Sequence, residues 1–178
     1  MRVLWWILLL ACLCAPAPGA ATVFYARDEA IKLAFPDADR TEARDFFLTA
    51  AQRTAIEAAA KSKLESDLLT VYIGYRGGQP IGYAIFDTHN VRTLPETFLI
   101  VLSPAGAITA THLLAFYEPM EYAPPARWSA QFDGAVLNSE LRVGRGIAGI
   151  TGSTLTAEAV TGGIRRALAI YGTLLKEP

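Results

Sequence analysis

Two pairs of β-rich runs joined by tight turns restrict this chain more than any other feature of its sequence. Leu68 to Tyr75 and Ile81 to Phe86 are separated by Arg76-Gly77-Gly78-Gln79-Pro80. Thr97 to Leu102 and Ile108 to Tyr117 flank Ser103-Pro104-Ala105-Gly106 in the same way. Valine, isoleucine and the aromatic residues suit a pleated, half-buried surface, and glycine and proline turn the chain. Strands joined by so few residues can only pair antiparallel. No strand–helix–strand alternation supports a doubly wound parallel sheet.

Helical signals lie at both ends of these strands. Asp28 to Phe35 reads as a short helix stopped by Pro36, and Arg44 to Leu48 as a brief strand. Thr49-Ala50-Ala51-Gln52 has the form of a capping box and opens an alanine-rich helix running to about Lys63. Pro124-Pro125 leads into a helical piece from Ala126 to Phe132, and residues 134–150, punctuated by glycine, give no clear assignment. The last helix carries an apolar stripe of Val160, Ile164, Leu168, Tyr171 and Leu175, at helical spacing. The expected fold is one α+β domain of antiparallel hairpins packed with helices.

The N-terminus reads as a separate element. Of the first twenty residues only Arg2, Pro16, Pro18 and Gly19 are not hydrophobic, and the unbroken run from Val3 to Cys14 is too short to span a bilayer. A basic start, a short apolar core and the small residues Ala15 to Ala21 form a signal-peptide pattern over residues 1–20, with residues 21–178 as the mature domain. The alternative is an uncleaved N-terminal anchor. Both cysteines, Cys12 and Cys14, fall in this leader, so the mature domain has no disulfide, thiolate nucleophile or cysteine-ligated metal. With Arg2 removed, Lys+Arg falls from 16 to 15 against Asp+Glu 17. That balance gives no basis for binding nucleic acid.

Conventional catalytic patterns are missing. His89 and His112 have no histidine or cysteine at ligand spacing, there is no Gly-x-Ser-x-Gly elbow, and both histidines read as strand-end or surface residues. One segment stands apart: Thr151-Gly152-Ser153-Thr154-Leu155-Thr156, directly before the last helix. The first amides of a helix lack intrahelical partners and carry the positive end of its dipole, so hydroxyls and a glycine there can seat a phosphate. The same residues can also serve as a plain N-cap. Arg165 and Arg166 lie eleven and twelve positions past Thr154. At roughly 16 Å along the helix they are too distant to clamp that phosphate and are expected to cover the helix surface. Gly162-Gly163 inside the helix implies either a closely packed backbone or a bend.

At this segment the chain resembles the FMN-binding domain family, known from the flavin-carrying small subunits of sodium-pumping NADH–quinone reductase and of Rnf-type complexes. The family hallmark is Ser/Thr-Gly-Ala-Thr-x-Thr/Ser before a C-terminal helix, and residues 151–156 fit it at most positions. The likeness extends to Phe116-Tyr117-Glu118-Pro119 and to Trp128 to Gly134, covering about residues 70–172. It implies FMN as cofactor, bound by Thr151, Gly152, Ser153, Thr154, Leu155 and Thr156 and attached through a phosphoester to Thr154 by a flavin transferase. Tyr117, Glu118 and Pro119 would lie near the flavin, Tyr122 and Trp128 are further stacking candidates, and Thr93 and His89 could meet the ring's polar edge. Two residues depart from the pattern: Ala148 stands where the transferase target has Asp, and Ser153 where the core has Ala.

The implied role is a periplasmic or otherwise extracytoplasmic electron carrier working with membrane or periplasmic redox proteins that hold flavin or haem. It reads as a redox subunit more than a stand-alone enzyme. The alternatives are a non-redox binding module that keeps the fold without flavin, and a flavin-dependent reductase of a small acceptor.

Overall fold

The computed structural model describes residues 22–176. The leader, with both cysteines, lies outside the described residues. Six strands form one sheet: β1 (Thr22–Val23), β2 (Arg40–Phe47), β3 (Leu68–Arg76), β4 (Gln79–Asn90), β5 (Pro95–Leu102) and β6 (Ile108–Phe116). Their order is β1-β6-β5-β4-β3-β2, and every pairing is antiparallel. The helices are α1 (Arg27–Ala34), α2 (Ala50–Ala60), α3 (Ala126–Ser129) and α4 (Thr154–Ile170), with 3-10 turns at Met120–Tyr122 and Ala130–Phe132. The architecture is α+β, and both expected hairpins form around the expected turns.

Alternation along the strands fills two cores. In β5, Phe98, Ile100 and Leu102 point to the face covered by α2 and α4. Leu99 and Val101 point to the other face, where Ala30, Ile31, Ala34 and Phe35 cover them. That double burial explains the unbroken apolar run of β5, which lies inside the sheet with a helix layer on each side. Phe35 lies close over the first hairpin: a Cβ on Gly74 would stand 2.6 Å from its ring.

Two elements run longer than their patterns suggest. β2 starts at Arg40 rather than Arg44. It is an edge strand whose Arg40, Glu42, Arg44 and Asp45 mask the alternation, and charge on an edge discourages pairing with another chain. β4 continues past Phe86 through Asp87-Thr88-His89-Asn90. This polar tail stays in the sheet because its inward side chains meet charged partners. The expected capping box of α2 is present, with Thr49 Oγ1 accepting from the Gln52 amide at 3.2 Å and Gln52 Oε1 accepting from the Thr49 amide at 2.9 Å.

Residues 134–150 form neither helix nor a named strand, yet they are pinned. Trp128 Nε1 donates to the Ala148 carbonyl at 2.6 Å, and the Ala148 amide donates to Gln131 Oε1 at 2.8 Å. With this loop against it, α4 is buried almost all round, more than the single stripe of Val160, Ile164 and Leu168 anticipates.

Candidate functional site

The hydroxyl-rich segment forms the start of α4. Thr151 and Gly152 make a turn in which Gly152 has φ +80, a left-handed conformation that suits glycine. Ser153 occupies the N-cap position, but its φ is −134 and its side chain makes no capping hydrogen bond. It is buried instead. Thr154 is exposed on the first helical residue, Leu155 beside it is 49% exposed, and no side chain among the described residues is hydrogen-bonded to the Thr154 hydroxyl. Thr156 is turned inward and donates to the Tyr122 carbonyl at 2.8 Å. The motif's hydroxyls are therefore not consumed in capping the helix. The amides of Thr154, Leu155 and Thr156 start the helix as donors without intrahelical acceptors.

The Thr156 contact joins this helix start to the end of β6. The Tyr122 amide donates to the Pro119 carbonyl at 2.9 Å. Glu118 Oε1 accepts from the Thr93 and Leu94 amides at 2.8 and 2.9 Å and from the Thr93 hydroxyl at 3.4 Å. Those donors, led by the Thr93 amide, hold the Glu118 carboxyl below the usual carboxylate range. The Arg92 guanidinium lies 5.7 Å from the centre of the Tyr122 ring. Thr93, Tyr117, Glu118, Pro119, Tyr122 and the 151–156 segment, though far apart in sequence, form one continuous neighbourhood. Within it Glu118 clamps the 92–94 loop to the sheet, so that oxygen already has three donors. Trp128 is buried edge-on against Phe132, 5.3 Å between ring centres, as a core residue.

His89 is elsewhere. It faces Gly163, nine residues and so about 14 Å along α4 from Thr154. It lies at the end of β4, as expected, but it is buried rather than at the surface, with both ring nitrogens occupied: Nδ1 lies 2.6 Å from Asp87 Oδ2 and Nε2 2.7 Å from Glu96 Oε1. No ring nitrogen is left for a flavin edge. Asp87 also receives a two-pronged contact from Arg166, Nε to Oδ1 at 2.9 Å and Nη2 to Oδ2 at 2.6 Å, while Arg166 Nη1 donates to Ser62 Oγ at 2.6 Å. The second oxygen of Glu96 is buried without a partner.

Burial alone would raise the Asp87 pKa, but bonds from His89 and Arg166 outweigh it and bring it to about 2. Burial likewise opposes a charged His89, yet its two carboxylate partners push it to about 9. Burial holds Glu96 above its ordinary value, only partly offset by His89. Arg166, Asp87 and His89 thus form a charged relay across the interface between β4 and α4.

This corrects the expectation for the two arginines. Neither covers an exposed surface; both are buried. Arg165 donates to the carbonyls of Ala59, Ala60, Asn138 and Leu141, tying the end of α2 and the irregular loop to α4. Gly163 is likewise explained by a side chain rather than a backbone, since a Cβ there would stand 2.5 Å from Asp87 Oδ2. Asp87, Glu96 and Ser62 carried no recognisable signal, although the Gly-Gly pair inside a helix marked the place where something approaches closely.

The fold and the helix start define an α+β domain whose C-terminal helix opens on a hydroxyl-rich turn. No family model matches the chain. The chain is 31% identical over 121 residues to a component of the Na(+)-translocating ferredoxin:NAD(+) oxidoreductase complex of Acetobacterium woodii, a match covering 62% of this chain and 58% of that protein. It thus spans little more than half the length of that relative. The crystal structure of Shewanella oneidensis NqrC shares the fold, with a TM-score of 0.52 at 11% identity over 78% of this chain and 83% of that one. These comparisons bear out the resemblance to the small subunits of such redox complexes.

Proposed function

We propose that this chain is an extracytoplasmic FMN-binding electron-transfer domain, with the flavin phosphate seated at the start of α4 and esterified to Thr154. The observation that carries this reading is the exposed, unengaged Thr154 hydroxyl, beside a left-handed Gly152 and a Ser153 that does not cap. A self-capping helix would use those hydroxyls on its own amides. Here they are left for an outside group, and the helix dipole favours an anion there. Relationship to a component of a sodium-translocating redox complex supports the same role, with membrane redox proteins as partners and a flavin transferase for maturation.

The residues fit the group. FMN supplies reversible one- and two-electron chemistry at its ring. Gly152 leaves the approach to the Thr154 amide open: a Cβ at that glycine would meet nothing within 4 Å. Tyr117, Tyr122, Pro119 and Leu155 offer apolar faces, and Arg92 places a cation beside Tyr122. Glu118 fixes the loop that carries Arg92. A tether holds the cofactor at high effective concentration where free FMN is scarce, so weak contacts suffice to orient it.

Ala148 favours a second reading, a module that keeps the fold without flavin. The residue is exposed and both its backbone groups are engaged, so the loop is stable without the carboxylate expected there. The mass of the protein purified from its own cells separates the two. The first reading expects a yellow protein heavier than the polypeptide by one FMN, and loss of that increment in Thr154→Ala. A colourless, unmodified protein overturns it.

A further inference from the structure

One turn past Thr154, α4 lines a cavity of about 400 Å³ shared with the end of α2 and the irregular loop. Three cations, Lys61, Arg142 and Arg165, stand around it against one carboxylate, Glu158. Elsewhere in this region cations are matched: Arg53 and Lys63 pair with Glu57, Arg145 with Glu140, and Arg166 with Asp87. Among the described residues Lys61 and Arg142 have no such partner. Arg165 is 6% exposed and uses Nε, Nη1 twice and Nη2 once on carbonyls. A guanidinium has five N–H groups, so one on Nη2 remains. Burial and the nearby Arg142 both lower the Arg165 pKa, as expected where like charges meet without a counter-ion.

Two backbone features agree. Lys61 has φ 54 and is the only non-glycine at positive φ among the described residues. It ends α2 where glycine is usual, so a long cationic side chain is kept at a position that strains it. Gly162 forms part of the floor, where a Cβ would touch Ser62 Oγ at 3.5 Å and Arg166 Nη1 at 3.6 Å.

We propose that this cavity binds a small oxyanion of the phosphate-monoester class, held by Lys61, Arg142 and the free N–H of Arg165. Its size suits a small phosphorylated molecule. Inorganic phosphate and free phosphate monoesters share this chemistry, whereas a flavin phosphate esterified to Thr154 is a diester held roughly 16 Å along the helix from Arg165, so the site stands whether or not the chain carries flavin.

The test is calorimetric titration of the full mature chain with inorganic phosphate and then ribose 5-phosphate, at constant ionic strength set with chloride. Saturable binding is expected, about tenfold weaker in Arg142→Gln and in Lys61→Gly, because each removes one charge-assisted contact. Both changes are at partly or fully exposed positions, and circular dichroism with a melting curve checks that each variant folds. Binding to both the flavin-bearing protein and Thr154→Ala assigns the site to a free ligand. Binding to Thr154→Ala alone overturns a site that is independent of the flavin. No saturable heat in either protein, or binding undiminished in both cavity variants, overturns the proposal.

Discussion

The adjacent glycines of α4 respond in opposite directions to the same substitution. Alanine at 163 places a Cβ 2.5 Å from Asp87 Oδ2, 3.1 Å from its Cγ and 3.2 Å from His89 Cε1. That oxygen cannot retreat freely, because Arg166 Nη2 and His89 Nδ1 each hold it at 2.6 Å. Alanine gains about 1 kcal/mol of helix propensity over glycine. Against this stand about 1–3 kcal/mol for overpacking and about 1.5–3 kcal/mol for each charge-assisted bond that is lost. Taking the lower half of those ranges, because the helix can shift slightly, Gly163→Ala is expected to destabilise the domain by about 2 kcal/mol, or roughly 4–8 °C in Tm. At 162 the nearest atoms are at ordinary contact distance, 3.5 and 3.6 Å, so only the propensity gain applies and Gly162→Ala should stabilise by up to about 1 kcal/mol. Urea and thermal unfolding of flavin-free protein measure both. A Gly163→Ala protein as stable as the parent, or two alanines that shift stability in the same direction, would refute the packing of the relay against α4.

The relay also fixes a pH profile. His89 is raised from 6.5 to about 9, so its contribution is complete below about pH 6.5 and is lost as pH rises through about 9. The linkage is on the order of 3 kcal/mol, shared with its carboxylate partners, and His89→Gln should flatten the alkaline limb of urea midpoints measured from pH 6 to 10. Asp87 is lowered from 3.8 to about 2, so its contribution is present above about pH 3.8 and is lost on acidification towards 2. Lys61→Gly relieves a left-handed non-glycine residue and is expected to raise stability by about 1 kcal/mol in the same urea assay, even as it weakens the oxyanion site.

The strands and caps were readable because their causes are local. The turns around Gly77-Gly78 and Gly106, the capping box at Thr49 and the stripe through Val160 and Ile164 each depend on residues a few positions apart. The boundary errors share one cause. In β2 and at the end of β4, charged residues replace the apolar alternation that marks a strand. Their reasons for lying in the sheet, an edge position and a buried arginine, belong to other parts of the chain. At the candidate site, the segment 151–156 could be recognised from its residue types. That Ser153 turns inward and leaves Thr154 free depends on packing, which one sequence does not display.

By itself the sequence determined where the helices and five of the six strands lie, though not the short β1 at Thr22–Val23, that hairpins join strands antiparallel, and where hydroxyls gather at a helix start. Those outcomes follow from backbone preferences and short-range hydrogen bonds. Tertiary structure alone decided the order of the strands, the burial of Arg165 and Arg166, and the meeting of Asp87, His89 and Glu96. A buried charge needs a partner ion or hydrogen-bond acceptors around it, and Asp87 and Arg166, 79 positions apart, become neighbours only after α4 has docked on the sheet.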